Sequence, residues 1–233
     1  MLVIPYAHSL NAAGKRHDLV DHLTAVASLA ARFARDLGAE ELGRYVGIWH
    51  DVGKFHPAFQ EYLRSCEANP LARGHGPDHK GAGALLASRH FAGFSALLVQ
   101  GHHGGLRAPA DLKTWLAEKE KDAASRYALE LATAAIPDLE PGGQISLPEH
   151  ILRDPRSAEL FLRLVFSALV DADYLDTENH FHEEQAAERR EASRSVAELW
   201  DRLERDQRQF SGEPADAVAR ARRDVYEACV AAA

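Results

Sequence analysis

The sequence predicts an all-α protein. Apolar residues recur at three- and four-residue steps through nearly every long segment, and no region shows the strict alternation of a half-buried strand. Asp or Pro opens several of these segments and Gly closes them, as helix boundaries require.

In RHDLVDHLTAVASLAARFARDLG, the residues Leu19, Leu23, Val26, Ala30, Phe33 and Leu37 form one stripe, and Gly38 ends the run. His22 flanks that stripe, at the edge of the core rather than in solvent. The next helix, about residues 40–52, buries Leu42, Tyr45, Val46 and Trp49 and ends in His50-Asp51. Gly53 supplies its stop, and Lys54 lies four residues beyond His50 on the same face. Pro57 suits the first turn of a third helix, PAFQEYLRSCEA.

The loop NPLARGHGPD leads to Asp78, a good N-cap for HKGAGALLASRHFAGF, which places His79 at the opening of that helix. Its small residues Gly81, Ala82, Gly83 and Ala84 permit another backbone to approach closely. A further apolar run, FSALLVQ, leads into Gly101-His102-His103-Gly104-Gly105, a histidine pair at a helix end. Residues 109–136 read as a helix or helical pair, and DLEPGGQISLPEH as a loop.

Residues 155–176 form the most hydrophobic helix and therefore the central one. Asp171 and Asp173 interrupt its C-terminal half. On a helical wheel the two lie about 200° apart and flank the apolar face, so periodicity does not choose between them. Residues 183–208 read as one charged helix, and a last amphipathic helix follows. The expected division is a core over residues 1–182 and a helical extension over 183–233.

With 233 residues and 46% hydrophobic content, the chain can bury one substantial core. No apolar run approaches a membrane span, and MLVIPYAHS lacks the basic start of a signal peptide, so a cytoplasmic protein is expected. Cys66 and Cys229 form no CxxC, which removes support for a thiolate metal site or disulfide framework. The net charge of -8 excludes nucleic-acid binding by bulk electrostatics. A polynucleotide would have to be held by a local basic patch, by bound metals or through a partner.

The histidines carry the chemistry. Of 13, more than half fall between residues 50 and 103. His22, His50, Asp51, His79, His102, His103 and one of Asp171 and Asp173 sit near helix ends or on apolar faces, where an unpaired polar group costs stability. Alone, His50-Asp51 reads as a helix-end histidine beside its neighbour, and Lys54 as a counter-charge to a helix C-terminus. Together, these nitrogen and oxygen donors are about what two neighbouring transition-metal ions need. Phosphate-loop, GxSxG and HExxH motifs are absent, so NTPase, serine-hydrolase and zincin chemistry have no support.

The order His22, His50-Asp51 and a late Asp resembles the HD superfamily of metal-dependent phosphohydrolases. AHS at residues 7–9, DHL at 21–23, HDVGK followed by FQ, His79 with Gly81 and Gly83, HHGGL at 102–106 and LVDADYLDTE resemble one branch more closely. That branch is the HD nuclease domain of the CRISPR-associated type I nuclease-helicase. The resemblance implies an HD-type helical bundle with its metal site between central helices. It implies cleavage of the single strand displaced when an RNA-guided surveillance complex opens its target.

By the same resemblance, His22, His50, Asp51 and the late Asp hold one metal. Asp51 bridges to a second, held by His79, His102 and His103, and Lys54 contacts the scissile phosphate or the attacking water. The family's alanine-aspartate step before an aromatic matches Ala172-Asp173-Tyr174 and selects Asp173. One or two manganese, iron, nickel or cobalt ions are expected, with a helicase domain or subunit as partner. A Walker-type GxxxxGK[ST] is absent, so the chain is expected to be a stand-alone subunit or a piece ending at the helicase boundary. The rival expectations are an HD phosphohydrolase acting on mononucleotides and an inactive HD docking module.

Overall fold

Asp18 accepts hydrogen bonds from the backbone N–H groups of Val20 and Asp21, and α1 (Leu19–Ala34) begins there. In the computed structural model, which describes residues 4–69, 74, 76–90, 93–143, 146–191, 195–210 and 216–232, a helical bundle follows. Its elements are α2 (Glu40–Trp49), α3 (Pro57–Ala68), α4 (Gly81–Ser88), α5 (Phe94–Gly101), α6 (Pro109–Lys121), α7 (Ala123–Ala135), α8 (Glu149–Arg153), α9 (Pro155–Phe181) and α10 (Glu183–Glu191). Short 3-10 turns cover Arg35–Leu37 and Val52–Phe55. The fold is all-α, with one antiparallel pair of very short strands among the described residues, β1 (Tyr6–His8) and β2 (His17–Asp18).

The chain forms two compact units, Met1–Ala186 and Ala187–Ala233. In the first, α1, α2 and α9 pack together around Val26, Ala30, Val46, Leu98 and Leu169. A second apolar cluster joins Leu19, Trp49, Val52, Leu86 and Val99. Trp49 is fully buried, and its indole N–H donates to the Leu139 carbonyl at 2.8 Å. Gly83 is the close-approach point the small residues of α4 predicted, since a Cβ there would overlap the Trp49 carbonyl oxygen. The second unit contains α11 (Val196–Arg208), opened by a Ser195/Glu198 capping box, and α12 (Ala217–Ala232).

Several predicted boundaries move. α2 stops at Trp49, and α9 continues to Phe181, five residues beyond the expected end. The charged segment is two helices, α10 and α11, with residues 192–194 outside the described residues. The pair over 109–136 is α6 and α7, with Asp122 capping the second through Ala124 and Ser125. Asp78 does not cap α4, which starts at Gly81. Its carboxylate instead accepts from the Lys80 N–H and pairs with Lys119 at 2.8 Å.

Gln60 fixes β1 against the bundle. Its side chain accepts from the Tyr6 N–H at 2.9 Å and donates to the Tyr6 carbonyl at 3.0 Å. No described helix is long and apolar enough to cross a membrane.

Candidate metal centre

His22 lies in the second turn of α1, on a line with buried Leu19 and Val26, and is itself fully buried. Tight packing of α1 on α2 brings it to His50, the residue that ends α2, with the two Nε2 atoms 3.3 Å apart. Asp51 follows in a non-helical conformation and turns its carboxylate into the same space.

Gly53 does not stop the helix through a left-handed conformation, since its φ is not among the positive values. It permits a backbone crossing. Its N–H donates to the His79 carbonyl at 3.0 Å, and a Cβ would collide with that oxygen. This contact delivers His79, two residues ahead of α4, to Asp51. His102 ends α5 and arrives from the other side, with the tilted ring of His103 beside it at a ring separation of 4.0 Å.

The Asp51 carboxylate divides these groups. Its Oδ2 lies 3.3 Å from His50 Nε2 and 3.6 Å from His22 Nε2. Its Oδ1 lies 3.5 Å from both His79 Nε2 and His102 Nε2. Asp173 Oδ1 completes the first group, 3.5 Å from His22 Nε2 and 3.6 Å from His50 Nε2. Asp171, the alternative that periodicity left open, is exposed to solvent.

The donor atoms of His22, His50, Asp51 and Asp173 all lie within 4.8 Å of one another, as do those of Asp51, His79, His102 and His103. All seven predicted ligands therefore meet, in two groups that share Asp51. Lys54 joins them as an ion pair, its Nζ 2.5 Å from Asp51 Oδ2 and donating to the Ala7 carbonyl at 3.1 Å.

The rings are oriented as ligands. His50 Nδ1 lies 2.7 Å from the Gly47 carbonyl and His102 Nδ1 lies 2.7 Å from the Val99 carbonyl. Carbonyls only accept, so each Nδ1 carries a proton, and Nε2 is the nitrogen that each ring turns toward the centre. Neither Asp51 oxygen makes a directed hydrogen bond, nor do the buried Nε2 atoms of His79 and His102. Ligand atoms about 2.1 Å from a shared ion lie roughly 3.0–3.4 Å apart, so the spacings of 3.3–3.6 Å suit divalent-metal coordination.

Without an ion, the buried charges of the centre balance one another. Burial works against a charged His50, but Asp51 and Asp173 outweigh it and push the ring up to about 10. Burial also opposes ionisation of Asp51, yet Lys54 and His50 hold it well below the usual carboxylate range. Burial lowers His79 to about 4, leaving it neutral and able to coordinate. The centre thus gathers the carboxylates of Asp51 and Asp173, balanced by a protonated His50 ring and the Lys54 ammonium, and the proton on His50 is one that a bound ion would displace.

Metal should consequently stabilise the fold. At a hundredfold excess over Kd, about 2.7 kcal/mol of linkage corresponds to a rise of roughly 5–10 °C in Tm. Thermal melts of chelator-treated protein with and without Mn2+, Fe2+, Co2+ or Ni2+ check this; unchanged melts with all four ions would refute metal binding.

Residues outside the predicted set also reach the centre. Asp176 Oδ2 accepts from His22 Nδ1 at 2.7 Å, and His8 and His17 pack their rings 4.9 and 5.2 Å from that of His22. Asp176 follows Asp173 by three residues and shares its helical face, which was a usable sequence signal. His8 and His17 lie on β1 and β2, too short for any period to reveal. His75, in the loop before α4, lies outside the described residues.

No curated protein matches this chain. The profile of the family described as "Cas3, HD domain" matches residues 4–225, nearly its whole length and every residue of the centre. The chain belongs to that family, the HD domains of Cas3, which supports a metal-dependent HD nuclease in a CRISPR context.

Proposed function

We propose that this chain hydrolyses the phosphodiester backbone of single-stranded DNA during CRISPR interference, using two divalent ions that Asp51 and the residues around it would hold. The observation that carries the reading is the divided carboxylate. One oxygen faces Nε2 of His22 and His50, and the other faces Nε2 of His79 and His102. On this reading His22, His50, Asp51 and Asp173 hold one ion, while Asp51, His79, His102 and His103 hold the other. The nitrogen-rich shell favours manganese, iron, cobalt or nickel over magnesium, which prefers oxygen ligands.

Bound ions supply Lewis-acid charge and a water acidic enough to ionise near neutral pH. The chain supplies orientation and shielding. Nδ1 of His50 and of His102 donates to a backbone carbonyl, which fixes both rings with Nε2 toward the centre. Lys54, only 5% exposed, holds an ammonium beside Asp51 that can donate to a non-bridging phosphate oxygen. His22, His50, Asp51 and His102 form the buried floor, whereas His103 is exposed and His79 and Asp173 are partly so. The strand therefore approaches over the rim formed by His79, His103 and Asp173.

With a net charge of -8, the chain gains little from bulk attraction to phosphates. DNA delivery by an RNA-guided surveillance complex and a helicase partner suits that charge, and both partners belong to this proposal. Incubating Mn2+- or Ni2+-loaded protein with circular single-stranded DNA, duplex DNA and dNTPs, all without ATP, tests it. Degraded circles with intact duplex and intact dNTPs are expected. Phosphate or triphosphate release from dNTPs alone would mark a mononucleotide phosphohydrolase, and no turnover of any substrate a docking module.

A further inference from the structure

We propose that Asp176 is a positioning residue that makes the first metal position, at His22 and His50, the tighter of the two. This rests on the metal-centre reading above and deepens it. The three buried histidines are oriented in two chemically different ways. His50 and His102 each place Nδ1 against a backbone carbonyl within their own helix ends, at 2.7 Å. His22 places Nδ1 2.7 Å from a carboxylate oxygen of Asp176, a residue 154 positions away.

A carboxylate partner does two things that a neutral carbonyl does less well. It keeps the proton on Nδ1, and it raises the electron density that Nε2 offers to a cation. The tautomer matters particularly here. A proton on His22 Nε2 would point into the space shared with His50 Nε2 at 3.3 Å and Asp173 Oδ1 at 3.5 Å, blocking coordination.

The geometry also shows how Asp176 is itself held. It is 8% exposed, on α9 one turn beyond Asp173, so a single helix face grips the His22 ring at both nitrogens. His17 Nε2 lies 3.5 Å from the same Asp176 oxygen. Thr177, next along the helix, has its Oγ1 3.2 Å from His8 Nε2. The last turns of α9 thus lock strand β1 and the His22 partner in one arrangement, while no carboxylate partner is present at Nδ1 of His102.

Manganese titration of chelator-stripped protein, followed by calorimetry and by the electron paramagnetic resonance signal of free Mn2+, separates the possibilities. The wild type should bind in a tight and a weaker step. Asp176→Asn, which keeps the side-chain shape, should weaken the tight step by about 10- to 100-fold and leave the other step unchanged. Its melting temperature in chelator should match the wild type, and Asp176→Glu should recover part of the lost affinity. An unaltered tight step in folded Asp176→Asn protein would overturn the inference. So would equal weakening of both steps, or a loss of affinity that tracks a loss of stability in chelator. Absence of any Mn2+ binding by the wild type would instead bring down the metal-centre reading, and this inference with it.

Discussion

Asp51→Ala is expected to empty both metal positions and abolish cleavage. Every other candidate ligand lies in one group, whereas Asp51 offers an oxygen to each. Metal clamping contributes several kcal/mol to a phosphoryl transition state, so the rate should fall by at least about 1,000-fold. The substitution carries a second cost, independent of catalysis. Lys54 loses its carboxylate while remaining 5% exposed, with the Ala7 carbonyl as its hydrogen-bond acceptor. Leaving one member of a buried ion pair unpaired costs about 3–5 kcal/mol.

The two effects can be separated. Asp51→Ala combined with Lys54→Met removes the stranded ammonium and should regain much of the apo stability, but no activity. Cleavage assays on single-stranded circles, paired with melts in chelator, report both quantities. If Asp51→Ala kept more than a tenth of wild-type cleavage, Asp51 would not be the shared ligand.

Gly53→Ala is expected to damage the fold and the second metal position together. The Gly53 N–H donates to the His79 carbonyl at 3.0 Å, and a methyl group on its Cα would occupy the space of that oxygen. Both partners in the clash are backbone, so relief requires α4 to move relative to the turn carrying Asp51. Overpacking of this kind costs about 1–3 kcal/mol or more, a fall of several degrees in Tm at this chain length. The displaced segment carries His79, so the stoichiometry of bound Mn2+ should fall from two toward one, with the His22/His50 position retained. Wild-type melting and full stoichiometry in this variant would show that the crossing is not needed.

Much of the centre was legible because its candidate ligands obey local rules. His50 and His102 end helices whose apolar stripes are plain in sequence, and each stands next to another polar donor. What sequence hid depends on contacts between distant segments. Asp171 and Asp173 are equivalent on a helical wheel; the family resemblance selected Asp173, and the packing of α1 against α9 brings it to His22. Gly53 suggested a helix terminus, yet its role is set by a carbonyl 26 positions later. The polar run Asp176-Thr177-Glu178 resembled the end of a central helix. In the fold it remains helical, because Asp176 and Thr177 find partners in His22, His17 and His8. Asp78 had the right residue type for a cap, but its carboxylate is engaged by Lys119.

The His22–Asp176 pairing also bears on how the protein acquires its metal as it is made. His50 and His102 take their orientation from carbonyls three residues earlier, so those rings can be aimed as soon as their own helices form. His22 has no such local support and waits for a partner 154 residues further on. Closing so long a loop is among the later events of folding. Until α9 docks, the growing chain lacks Asp173 and the Asp176 partner of His22, so the first group stays incomplete while the residues of the second are already in the chain. The first group would therefore meet metal only as a finished cage, later than the second.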